Sequence, residues 1–212
     1  MHLFSRVGVV TGGPVETLEW AVNITARVNQ AMDIEVSLWQ GQFGNPLGTV
    51  AWSALVESRA QLAEETLKLA ADQGYLDLVG QGQAFAGAIP FEDSLRTMVH
   101  MTAEPAEPPP LGAWAEITTA VPMAGKIAAA MAWGVEISDY HAAVTGSPVM
   151  FLADDYGTFG QVGWIAVHAD AAAADAAAAA VMADADYAAK VDGAGDLFVP
   201  GQSNRSSTVR LA

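Results

Sequence analysis

The sequence predicts an α+β protein that contains two copies of one β-α-β-β-α-β unit, and three observations support this fold class. Residues 48–54 return as residues 160–166, a shift of 112 positions that continues without a gap to the C-terminus. The same order of strand and helix signals occurs in both halves, and a proline-rich segment separates them. Internal repetition constrains architecture before any local pattern does. We therefore predict units at residues 1–102 and 112–212, joined by an extended linker at 103–111.

The first unit alternates apolar runs with helical periodicity. Its predicted elements are a strand over 4–10, a helix over 14–31, strands over 34–43 and 49–57, a helix over 58–73 and a strand over 95–101. Pro14 suits the first turn of a helix, and Ser58 is a suitable N-cap.

The second unit has the same predicted order. Its elements are a strand over 114–119, a short helix over 122–133, a strand over 135–145, an inserted loop around 151–156, a strand over 161–169, a helix over 171–189 and a strand over 207–211. Asp170 takes the N-cap position that Ser58 has in the first unit.

Composition limits the possible partners. The chain has 212 residues, of which 52% are hydrophobic and 16% are charged, with a net charge of −15 and no cysteine. The acidic charge argues against nucleic acid and against anionic membrane surfaces. No thiolate metal site or disulfide is possible, and we expect no membrane insertion and a cytoplasmic location. The low charged fraction favours a large buried surface or a homo-oligomer.

The predicted order of elements is that of a ferredoxin-like unit, whose sheet carries helices on one face only. Two such sheets bury their bare faces if they pack face to face. In this order and in its duplication, the whole chain resembles the dimeric α/β-barrel superfamily in its tandem, single-chain form. The resemblance implies a pseudo-dimeric α/β barrel. It does not select a function, because the superfamily includes cofactor-free monooxygenases, polyketide cyclases, haem proteins and many proteins without known chemistry.

We predict a candidate pocket in the second unit. If 135–145 is a strand, Glu136, Ser138 and Tyr140 occupy positions that are apolar in the first unit, and Ser138 lies opposite His168. Alanines replace the large residues of the covering helix, which leaves volume for water or a ligand. In the alternative interpretation, the alanine helix packs closer to the sheet and these polar groups bind one another or solvent.

In the pocket interpretation, His168 is a general base, Glu136 orients it, and Tyr140 binds a carbonyl or phenol oxygen. His141 and Asp139 would lie on the other face of that strand, so His141 and His168 are not expected to share a metal ion. No metal site is predicted, because residues 154–157 lack the alternating acidic spacing of a calcium loop. The predicted ligand contacts are Ser138, Trp164, His141, Asp139 and Tyr156.

Three functions remain open from the sequence. The first is a non-catalytic protein that binds a small apolar or aromatic ligand or takes part in an assembly. The second is a cofactor-free monooxygenase or cyclase that acts on an aromatic or polyketide-like substrate. The third is haem binding through His168 or His141, which is disfavoured because the second unit has few cations for the haem propionates. No cofactor is therefore predicted, and whether the protein is an enzyme stays undecided.

Overall fold

A computed structural model describes residues 1–87, 90–104 and 108–212. The first half contains β1 (His2–Val9), α1 (Pro14–Ala31), β2 (Ser37–Gly41), β3 (Thr49–Val56), α2 (Arg59–Ala70), α3 (Gln73–Gly82) and β4 (Glu92–Met101). The second half contains β5 (Trp114–Ala120), α4 (Ile127–Thr145), β6 (Val149–Tyr156), β7 (Val162–His168), α5 (Ala171–Ala183), α6 (Ala185–Asp192) and β8 (Asn204–Arg210). The middle of the predicted linker, residues 105–107, lies outside the described residues.

The eight strands form one closed antiparallel barrel in the order β1-β3-β2-β8-β5-β7-β6-β4. The two halves meet at two seams, where β2 pairs with β8 and β4 pairs with β6. The sheets therefore join edge to edge while their inner faces oppose each other, and closure removes the open strand edges. An α+β protein with a barrel-like antiparallel sheet is thus confirmed.

The helices cover the outside of the barrel. In the first half, alternate residues of β3 point outward and pack against one side of α1, where Trp52 meets Trp20 edge to face at 6.0 Å. In the second half, the equivalent layer contains Phe151, stacked on Trp164 at 5.0 Å, and Trp133. Alternation along each strand sends one set of side chains to these layers and the other set into the barrel.

Several local predictions are confirmed by the helix termini. Pro14 begins α1, the Ser58 hydroxyl accepts from the Gln61 backbone N–H, and the Asp170 carboxylate accepts from the Ala173 N–H. Two residues paired by the 112-residue shift, Asp72 and Asp184, each cap a helix in the same way. These two positions therefore have the same local structure.

The predicted strand over 135–145 is wrong, because these residues form the second half of α4. The buried residues of α4 include Ala130, Gly134, Ile137 and Ser138, which recur at helical rather than strand spacing. The helix ends at Gly146, whose φ of 71° is the left-handed conformation that suits a helix C-terminus. The predicted inserted loop is β6, which begins 112 residues after β2, so the insertion expected in this region is absent and the 112-residue shift continues through it.

None of the helices in the described parts of the chain combines the length and the apolar character needed to cross a bilayer.

Candidate functional site

The inside of the barrel contains a cavity of about 1010 Å³. Its wall is formed by inward-facing strand residues, and apolar side chains pack around it. A cluster of buried apolar residues occupies the inner face of the barrel, namely Leu3, Trp39, Ala115, Leu152 and Ile165. A mostly apolar cavity of this size is large enough for a small-molecule ligand.

A few hydroxyl groups interrupt the apolar wall. Ser5, Ser37, Ser53 and Thr208 line the cavity from four different strands. The Trp39 Nε1–H donates to the Ser53 hydroxyl at 2.9 Å, which fixes the indole against the wall. Sparse polar groups in an apolar cavity are the usual means of orienting a ligand.

A charged pair spans the seam between β4 and β6. Arg96 lines the cavity, and its Nε lies 3.0 Å from Oδ1 of Asp154, whose side chain is only 3% exposed. The approach lacks hydrogen-bond geometry, so neither atom has a hydrogen-bond partner among the described residues. Gln161 donates its Nε2–H to the other Asp154 oxygen at 3.1 Å. Burial raises the pKa of Asp154, while Arg96 and Gln161 oppose that shift.

A second polar group, here called the α4 cluster, lies outside the barrel beneath α4 and α6; it comprises Glu116, His141, His168, Tyr187 and Arg205. The His168 side chain is fully buried, and its Nε2 lies 3.7 Å from Glu116 Oε2. Arg205 donates to the same carboxylate oxygen at 2.7 Å. The nearby His168 imidazole and then Arg205 hold the pKa of Glu116 at about 2, against the opposing effect of burial.

Two imidazoles share the α4 cluster. His141 Nδ1 lies 3.4 Å from the Tyr187 hydroxyl, and burial followed by the proximity of His168 lowers the pKa of His141. The Nε2 atoms of both histidines are buried without a hydrogen-bond partner among the described residues. The prediction that the two histidines lie on opposite faces is therefore wrong, since His141 is on a helix and not on a strand. The described residues include no group of three side chains that could hold a metal ion.

Comparisons with known proteins identify the architecture. No family model and no curated protein matches the chain. Solved structures do match: a proposed monooxygenase from Fusobacterium nucleatum has a TM-score of 0.75 at 10% identity, covering 100% of this chain and 92% of that one. An anthrone oxidase-like protein has a TM-score of 0.64 at 12% identity, with coverages of 100% and 92%. A proposed chlorite dismutase has a TM-score of 0.55 at 8% identity, with coverages of 100% and 96%.

This chain has the dimeric α/β-barrel fold. The resemblance noted in the sequence is confirmed at the level of fold. TM-scores of 0.55–0.75 establish the shared fold, whereas identities of 8–12% carry no information on activity.

In this α/β barrel, the three residues predicted to be catalytic do not meet. Glu136 lies on the exposed side of α4 and binds Lys190 at 2.5 Å. The Tyr140 hydroxyl donates to Asp184 at 3.2 Å, while His168 lies in the α4 cluster. The pairing that placed Ser138 opposite His168 is wrong, because a helix cannot supply the partner strand.

The predicted ligand contacts also lie outside the barrel. Ser138 is buried and donates to the Gly134 carbonyl at 2.6 Å, and Trp164 donates to the same carbonyl at 3.1 Å. Asp139 binds His100 Nε2 at 2.7 Å, and Tyr156 is 60% exposed. Of the predicted residues, the structure brings together Ser138 and Trp164 at the Gly134 carbonyl, and His141 and His168 in the α4 cluster.

Sequence reasoning did not identify Arg96, Gln161 or Glu116 as candidate site residues, although a partial signal was present. Arg96 is a charged residue inside a predicted strand, and Glu116 follows the same pattern in β5. Such residues are informative because charge is rarely buried in a sheet without a partner. Assigning them to the inner or outer face, however, required the actual strand register.

Haem is a cofactor that this fold family implies, so the cavity can be tested against it. Among the described residues that border the cavity, the single histidine is His168 at the end of β7, and its side chain lies on the outer face of that strand, where Nδ1 contacts Ser147 and Nε2 faces Glu116. His141 is not part of the wall, and Arg96 is held beside Asp154. Iron ligation by histidine requires a ring nitrogen directed at the metal. The residues of the cavity therefore do not fit haem.

Proposed function

We propose that the two halves are copies of one ferredoxin-like unit and that the barrel they close binds a small apolar or aromatic molecule. The observation that carries this proposal is the cavity of about 1010 Å³ inside the barrel. Ligand sites in proteins have volumes of roughly 300–1,000 Å³ and combine apolar walls with few polar groups. The cavity meets both conditions, whereas the α4 cluster consists mainly of paired polar groups.

Cavity-filling variants test this proposal. Ala51 and Ala115 both line the cavity, so Ala51→Phe and Ala115→Phe place a ring in the space that a ligand would occupy. The neutral probe is 2-naphthamide, titrated by calorimetry. We expect saturable one-to-one binding to the natural chain and a loss of at least about tenfold in affinity in both variants.

The matched control is Ala176→Phe, which adds the same ring to the exposed side of α5. It should bind 2-naphthamide as the natural chain does. Equal binding by the filled and control variants would contradict the proposal, as would the absence of saturable binding to the natural chain.

A second candidate function is oxygenation of the bound molecule, and Asp154 is the specific observation in its favour. Burial raises the pKa of this carboxyl group beside the cavity, which suits it to accept a proton from a carbon acid. Two similar structures are described as a proposed monooxygenase and as an anthrone oxidase-like protein. Conversion of anthrone and dioxygen to anthraquinone and water, lost in Asp154→Asn, would support this function. Oxygen uptake no faster than in buffer would oppose it.

A further inference from the structure

Arg96 occupies an inward position on the barrel wall, where an arginine adds little to the stability of the fold. It lies in β4 opposite Leu3 of β1 and Asp154 of β6, and it lines the cavity together with apolar side chains. Its side chain is 16% exposed. An arginine at an inward position must be solvated or paired, because an isolated buried charge is strongly unfavourable. A shorter apolar side chain would fill this position with a smaller desolvation penalty.

The guanidinium of Arg96 has a charged partner but no hydrogen bond to the described residues. Arginine carries five N–H donors in a planar fork. Its ion-pair partner among the described residues is Asp154, whose Oδ1 lies 3.0 Å from Nε, and even this contact lacks hydrogen-bond geometry. No described residue accepts a hydrogen bond from the terminal nitrogens of Arg96. These donors are therefore available to a molecule inside the barrel.

Asp154 does not complete the site. One of its oxygens accepts from Gln161 and the other faces Nε, so this carboxylate does not form the two parallel hydrogen bonds of a bidentate pair. Asp154 thus acts as a positioning residue, which holds Nε at the wall and leaves the opposite edge of the fork free. Ser5 follows Leu3 on the inner face of β1 and adds a hydroxyl on the same side of the cavity.

We propose that Arg96 binds an ionised oxygen, a carboxylate or a phenolate, on an otherwise apolar aromatic ligand. This inference rests on the proposed ligand-binding function and adds the chemical class of the ligand. The guanidinium edge matches the two oxygens of a carboxylate and can also donate to the single oxygen of a phenolate, and such charge-assisted hydrogen bonds are stronger than neutral ones. The remaining wall supplies the apolar surface for the rings.

The test compares two probes of nearly equal shape, 2-naphthoate and 2-naphthamide. In the natural chain, the carboxylate should bind at least about tenfold more tightly than the amide, since a hydrogen-bonded charge is worth more than about 1.4 kcal/mol. Arg96→Gln should bring the two affinities within about twofold, and Arg96→Lys should retain part of the preference. The matched control is Arg6→Gln, which removes an arginine that is paired with Asp93 and not among the residues of the cavity wall.

Loss of one charge from a buried pair can impair folding, so the double variant Arg96→Gln/Asp154→Asn removes both. It should melt cooperatively, still bind 2-naphthamide and show no preference for the carboxylate. If 2-naphthamide binds and Ala51→Phe blocks it, but the carboxylate binds no better, this inference fails while the proposed function stands. If neither probe binds, the proposed function itself fails.

Discussion

The α4 cluster shows how single residues respond to their neighbours. Glu116 lies between His168 and Arg205, and its pKa of about 2 is below the ordinary value of 4.5. A carboxyl group whose pKa is lower in the folded chain stabilises that chain when it is ionised. Its contribution is complete above pH 4.5 and is lost as the pH falls toward 2.

We therefore expect Glu116→Gln to lower the free energy of unfolding by about 1–2 kcal/mol at pH 6, a figure reduced because Arg205 is largely exposed. The difference between variant and natural chain should shrink as the pH falls from 4.5 toward 2. Urea unfolding at several pH values measures this difference in the free energy of unfolding. Glu136→Gln, which breaks the exposed pair with Lys190, should change stability by less than about 0.5 kcal/mol. A difference that stays constant with pH would contradict the assignment to Glu116.

Among the helices and strands, α4 is the element that differs most from the sequence-based prediction, because half of it was predicted as a strand. It packs against the sheet through Gly134, where an added Cβ would overlap the Phe151 ring. The carbonyl of the same residue accepts hydrogen bonds from Ser138 and Trp164. The close approach of this helix therefore depends on the absence of a side chain at one position.

We expect Gly134→Ala to destabilise the fold by about 1–3 kcal/mol, because the extra carbon must displace packed aromatic rings. Gly80→Ala in α3 is the matched control, since a Cβ there would meet no heavy atom of the described residues within 4 Å. It should stabilise the chain by about 0.4–1 kcal/mol through the entropy of the unfolded state. Thermal and urea unfolding measure whether each variant is less or more stable than the natural chain. Equal changes in stability for Gly134→Ala and Gly80→Ala would refute the packing argument.

At the scale of the whole molecule, barrel closure makes the two halves depend on each other. The edges β2 and β4 of the first half are hydrogen-bonded to β8 and β6 of the second. A separated half therefore exposes two strand edges and the apolar face that lines the cavity. Open edges and exposed apolar faces favour association with another chain.

We expect a fragment of residues 1–104 to self-associate when it is produced alone. Mixing it with residues 108–212 should restore a one-to-one complex, because the paired edges then find their natural partners. Light scattering after size-exclusion chromatography measures both outcomes. A folded, monomeric fragment would contradict the interdependence of the halves, and the unbroken chain under the same conditions serves as the reference.

Much of the outer architecture followed from local patterns. The N-caps at Ser58 and Asp170 and the start of α1 at Pro14 were predictable, because capping depends on residues close in sequence. The structure of residues 135–145 was not predictable, because a short apolar run with polar residues at alternate positions fits a helix as well as a strand. Because of that single error, Glu136, Ser138 and Tyr140 were assigned to the sheet, although all three lie on α4.

The sequence by itself determined the α+β class, the order of most elements, the acidic character and the correspondence of Asp72 with Asp184, since these depend on composition and short-range spacing. Only the tertiary structure decided which strand edges pair, and hence which side chains face the cavity. A shift of one residue in register sends a side chain to the other face of a strand. The inward position of Arg96 and the outward position of His168 therefore follow from closure of the barrel, which depends on contacts between residues far apart in the chain.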